Sequence, residues 1–142
     1  MAEKKINVKE LKIIFENKII PSHITFLKQY KVKLPKLYIS GALTKDGITL
    51  GLLTKYIKQP ITKTELTRII RKWYPNTNDV QQPRHLGRQK GWYILSGTRG
   101  DILPEKMTLN NNEYCLITLE KPYPGYSGID GHRSARGGIN FQ

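Results

Sequence analysis

The stretch that most limits what this chain can become is residues 61–103, ITKTELTRIIRKWYPNTNDVQQPRHLGRQKGWYILSGTRGDIL. Thr62 and Glu65 stand three apart as a capping box, with Ile61 and Leu66 placed around them as a hydrophobic staple, so a helix starts here. Leu66, Ile69, Ile70 and Trp73 follow at i, i+3, i+4 and i+7. One stripe therefore goes to a core, and Lys63, Arg68, Arg71 and Lys72 face outward. The helix stops before Tyr74-Pro75, because proline disfavours helical geometry in the residue ahead of it.

A second helix lies between Asp79 and Lys90. Proline is tolerated in a first turn but costs roughly 3 kcal/mol in a helix interior, so Pro83 sets the regular start at Val80 to Gln82. Gly91 suits the left-handed position that ends it. Leu86 is the inward residue, and Gln81, Gln82, Arg84, His85, Arg88, Gln89 and Lys90 are left to point elsewhere. Residues 92–95 read as an apolar strand, residues 96–101 as a Gly-containing tip carrying Arg99, and Ile102-Leu103 as the returning strand. Helix, turn, helix, hairpin is the skeleton of a winged helix.

The run RHLGRQKGWYILS, preceded by ITKTELTRII and followed by EYCLITL, resembles the N-terminal winged-helix recognition domain of certain Type II restriction endonucleases, including those whose nuclease part is a His-Me finger. The likeness covers residues 50–120. Arg84, Leu86, Lys90, Gly91 and Trp92 match a pattern of R-x-L followed by a Lys-Gly-aromatic turn into the wing strand, and Pro83 departs from it within the reading helix. The resemblance implies recognition of a duplex DNA sequence, with cleavage carried by another domain or subunit.

Charge points the same way. Lys and Arg number 24 against 11 Asp and Glu, a formal charge of +13, which makes a polyanion the first partner to consider. No apolar run reaches the length of a membrane span, and MAEKKINVKE lacks a signal-peptide core, so the reading is a cytoplasmic protein without a membrane partner. The single cysteine, Cys115, reads as a small core residue; His23, His85 and His132 are scattered, without the spacing of a metal site.

Three parts follow: a basic helical extension at 1–40, a winged-helix domain at 41–121 (three helices plus a small antiparallel sheet, α+β), and a Gly/Arg-rich tail or linker at 122–142. In the first, Asn7 and Glu10 repeat the capping box, Val8, Leu11, Ile14 and Phe15 make an amphipathic helix, and Ile19-Ile20-Pro21-Ser22 breaks it before a helix that Ser22 caps. Residues 31–39 fit a strand or a helix equally. The extension reads as a solvated face on packed helices, or as a second phosphate surface or dimerisation arm. Lys45-Asp46-Gly47 reads as a turn and Thr49 as the cap of a helix at 50–58; Met107 and Leu109 lead to a hairpin turn at Asn110-Asn111-Asn112 and a strand at 114–119.

The chemistry read from these residues is binding. Arg84 and Arg88 suit guanine, Gln81, Gln82 and Gln89 suit adenine, and His85 shares their helix; Lys63, Arg68, Arg71, Lys72, Lys90, Arg99, Arg133 and Arg136 suit phosphates. Binding needs no cofactor. A complete small nuclease would need Mg²⁺, and its candidates are Glu3-Lys4-Lys5, Glu10-Leu11-Lys12, Glu16-Asn17-Lys18, the acids Asp101, Glu105 and Asp130, and His132 with Asn140. A non-enzymatic winged-helix regulator, or one associated with RNA, is the third reading. A homodimer or a separate nuclease subunit is compatible with the first.

Overall fold

The computed structural model describes residues 3–126 apart from 79, 99, 100, 102 and 105. The expected start at Asn7 forms in full: its side chain accepts from the Glu10 N–H at 2.8 Å, and the Glu10 carboxylate accepts from the Asn7 N–H at 3.1 Å. Helix α1 then runs unbroken over residues 8–30. It comprises an α segment at Val8–Ile14, wide π turns at Phe15–Ile19 and His23–Leu27 on either side of Ile20–Ser22, and a closing 3₁₀ turn at Lys28–Tyr30. The break expected at Pro21 is thus corrected, as is the Ser22 cap, which makes no capping bond. A proline ring collides with the carbonyl four residues back in a regular helix, and the wide turn closed by the Ile20 N–H on Phe15 O lies at that point.

Lys31, at φ 64°, ends the run. The undecided segment becomes extended chain and then a hairpin of β1 (Tyr38–Ile39) and β2 (Ala42–Leu43), turned by Ser40 and Gly41, both at positive φ. Helix α2 (Lys45–Lys55) starts earlier than its sequence suggests. Its cap is Thr44, whose Oγ1 accepts from the Gly47 N–H at 2.9 Å, whereas Thr49 is buried inside the helix. Gly47 imitates a turn signal but serves close packing: a Cβ there would stand 3.0 Å from Leu37 Cα. All residues from Gly47 to Thr54 are buried, so α2 is a central rod with no solvent face along that run.

Strand β3 (Ile61–Thr62) leads into helix α3 (Lys63–Ile70), opened by the expected capping box, with its Leu66, Ile69 and Ile70 stripe buried. Helix α4 occupies residues 82–89, as Gln82–Arg84 followed by a wide turn at His85–Gln89, and Gly91 at φ 100° follows it in the expected left-handed position. Strands β4 (Ile94–Ser96) and β5 (Glu113–Leu116) complete an antiparallel sheet in the order β3-β5-β4, pairing Ile94 with Leu116 and Ile61 with Tyr114. The returning strand is therefore β5, not Leu103 or the Met107–Leu109 stretch; Ile102 lies outside the described residues. A turn forms at the asparagines, with Asn112 at φ 65° and the Asn110 N–H donating to Glu113 Oε1 at 2.7 Å, but it does not close the expected hairpin, because residues 107–109 form no strand and β5 spans Glu113–Leu116 instead of 114–119.

The architecture is α+β, helices with two small antiparallel sheets about one core. That core is continuous across the boundaries expected at 40 and 121. Ile6, Leu11 and Val32 share it with Leu86 and Trp92, whose Nε1 donates to Lys33 O at 2.8 Å; the Tyr123 N–H donates to Gly91 O at 2.8 Å and Tyr126 is buried nearby.

Candidate nucleic-acid interface

Helix α4 is seated by its inner residues and displays the rest. Pro83, Leu86 and Gly87 are buried, and Gly87 presses on β4 so closely that a Cβ would meet Ile94 O at 2.9 Å. Its C-terminal end is tied down by Lys90, whose Nζ lies 2.6 Å from Asp46 Oδ2 on α2 and whose carbonyl accepts from the Lys33 N–H at 2.9 Å. The outward side then carries Arg84, His85 and Gln89, all exposed, with Gln81, Gln82 and Arg88 half-buried beside them. All six residues expected to read bases come together on or beside this short helix. Arg84 Nη1 donates to Gln81 Oε1 at 3.1 Å, and His85 Nδ1 lies 3.1 Å from Gln89 Oε1, so these polar groups bond to one another within the helix.

The residues expected at phosphates divide. Lys63, Arg68, Arg71 and Lys72 share α3 and its end, and the first three line a cleft of about 390 Å³ with Thr64, Thr67 and Asn78. Both arginines also brace the backbone: Arg68 Nη2 donates to Lys4 O at 3.0 Å, and Arg71 Nε donates to Thr77 O at 2.7 Å. Lys90 stands apart from the set, because its ammonium is neutralised by Asp46. Arg99, Arg133 and Arg136 lie outside the described residues.

Of the nuclease candidates, Glu10 is occupied by its capping bond and by Lys55, 2.8 Å away, and the hydrogen bond from Lys55 holds its carboxyl below the usual range. Asp101 accepts from the Ser96 N–H at 2.8 Å and from Tyr123 Oη at 2.7 Å, which ties the end of β4 to the segment at Tyr123. Glu105, Asp130, His132 and Asn140 lie outside the described residues, among which no three His, Cys, Asp or Glu side chains gather. Cys115 is fully buried, as expected, and that burial raises its thiol to about 11. Among the described residues no helix is long and apolar enough to cross a membrane.

Sequence reading passed over Gly87 and Asp46. A glycine inside a helical pattern was the available signal for the first, since it marks a close backbone approach. Asp46 carries no local mark of a partner 44 residues away.

Fold and site together define a strongly basic α+β protein that exposes a short helix of amide, imidazole and guanidinium groups. Comparison with protein-family models, with curated proteins and with solved structures returns no match.

Proposed function

We propose that this chain is a winged-helix protein that binds double-stranded DNA through α4, as the sequence-recognition module of a Type II restriction endonuclease whose cleavage lies on another domain or subunit. One observation carries the reading. Arg84, His85 and Gln89 are exposed on a helix whose other side is anchored by Leu86 and Gly87, in a chain of net charge +13. Support for the winged-helix part comes from element order: α2, β3, α3, α4, β4, β5, with the β5 strand between β3 and β4. Guanidinium pairs bidentately with guanine and side-chain amide with adenine, each worth about 1–3 kcal/mol of discrimination, while cations on α3 set orientation without reading sequence.

The test is selection of bound duplexes from a random pool, with and without Mg²⁺, followed by a salt titration of the winner. A consensus sequence is the expected result. If about six phosphates are neutralised, log K falls against log salt with a slope of roughly −5. A flat salt response, or a pool that never converges, overturns the reading; cleavage by this chain with Mg²⁺ replaces it with the complete small nuclease.

A further inference from the structure

Three threonines sit buried in helices, and their hydroxyls are not equivalent. Thr54 Oγ1 donates to Leu50 O at 2.7 Å, the usual escape for a hydroxyl inside a helix, which turns its donor onto the carbonyl one turn back. Thr67, only 6% exposed, does not do this: its Oγ1 is shielded from solvent and has no hydrogen-bond partner among the described residues. A hydroxyl left so is disfavoured by about 1–3 kcal/mol, and such a cost persists where something outside the chain supplies the missing bond. Thr49 shares the deficit, but it lies within the buried rod α2. Thr67 instead lines the α3 cleft.

The other walls of that cleft all suit an anion. Lys63, Arg68 and Arg71 bring positive charge, Thr64 and Asn78 bring neutral hydrogen-bonding groups, and among the described residues none that lines the cleft is acidic, the Glu3 carboxylate standing 4.0 Å from Arg68 Nη1 at its exposed side. The guanidinium groups are held at fixed positions by Lys4 O and Thr77 O, so they are positioned before any ligand arrives. Two turns of one helix, at 63, 67 and 71 and at 64 and 68, place these residues on a single face.

We infer that the α3 cleft is a discrete site for a phosphoryl oxyanion, with the Thr67 hydroxyl donating to one oxygen and Lys63, Arg68 and Arg71 balancing the charge. It uses cations that the duplex reading also uses, but it does not require α4 to read bases. The phosphoryl group belongs either to a nucleic-acid backbone or to a free phosphate ester, and one experiment separates the two.

The ¹⁵N-labelled full chain is titrated with inorganic phosphate against sodium chloride of equal ionic strength, with amide shifts as the readout. Saturable, millimolar shifts at Thr67, Arg68 and Asn78 are expected. Thr67→Val keeps the volume, removes the unpartnered hydroxyl and stays folded; it weakens phosphate binding about fivefold or more, and Thr67→Ser restores it. Lys63→Gln weakens it as well. Shifts that never saturate, or that Thr67→Val leaves unchanged, overturn the inference. A short duplex is then added. Displacement of phosphate assigns the site to a backbone phosphate, and phosphate that stays bound assigns it to a free ester; both support the site. Duplex that perturbs Arg84 and Gln89 while phosphate leaves Thr67 untouched sinks this inference and spares the duplex reading, and the converse outcome does the reverse.

Discussion

Helices α3 and α4 both turn polar side chains outward, but they employ them differently. On α3, Arg68 donates to the carbonyl of Lys4 in the chain's first segment, and Arg71, at the C-cap, donates to Thr77 O in the loop that follows, so each is part of the frame as well as part of the charge. On α4, Arg84 bonds to Gln81 and His85 to Gln89, partners inside the same short segment. Exchanging such a bond for a ligand leaves the fold intact. The lesson is that a basic residue's value to binding is read from what else would collapse without it, and by that measure the proposed function gives reading to α4 and holding to α3.

The comparison breaks most visibly if the platform under α4 is removed. Trp92 is fully buried just after α4 and donates to Lys33 O, so Trp92→Ala should lower stability by about 3–5 kcal/mol in urea unfolding. A loss under about 1 kcal/mol would mean that α4 does not depend on that seat. The sharper contrast is between two arginines. Arg71→Gln gives up the bond to Thr77 O and should cost about 1–2 kcal/mol of stability while weakening all duplexes alike. Arg84→Ala should change stability by less than about 0.5 kcal/mol and reduce the preference among duplexes by about 1–3 kcal/mol. Reversed effects would exchange the roles of the helices.

Much of this frame is legible in sequence because it is local. Both capping boxes, the α3 stripe, Pro83 in the first turn of α4, Gly91 beyond it and the asparagine turn rest on residues within a few positions of one another. What could not be read depends on distant contact. Pro21 signals a break, yet a wide turn carries the helix past it; Gly47 signals a turn, yet Leu37 requires its missing side chain. Strand β5 lies between β3 and β4 because the chain returns after a long connection, whereas local pattern favours a return at 102–103. The α4 face follows from helical periodicity around Leu86, whereas the Lys90 to Asp46 pair and the orphaned Thr67 hydroxyl exist only in three dimensions.

A smaller effect sharpens the view of α3 as frame. Thr62 accepts from the Glu65 N–H at 3.0 Å, and Thr62→Ala should cost about 1 kcal/mol, with amide exchange rising first in α3 and not in α4. Exchange that rises equally in both would mean the helices open as one unit.

The smallest effect lies one layer further down. Lys55 Nζ donates to Lys5 O at 2.7 Å and pairs with Glu10 at 2.8 Å, and the neighbouring Lys4 carbonyl is the one Arg68 grips. The bond from Lys55 is the main cause that holds the Glu10 carboxyl below the usual carboxylate range, with burial opposing and the Asn7 N–H and the Lys55 and Lys5 charges assisting. A carboxyl depressed in the folded state contributes stability that is present above its unfolded pKa and lost as pH falls through the folded one. The pair is more than a third exposed on the Glu10 side, so solvent screening keeps its effect small. Glu10→Gln should therefore melt slightly below the parent near neutral pH, and the gap should close as pH falls through the acid range. Shifts accompanying that closure should gather at Lys4, Lys5 and Arg68 before any reach Arg84. If the gap is independent of pH, the Glu10 charge is not what secures the segment under α3.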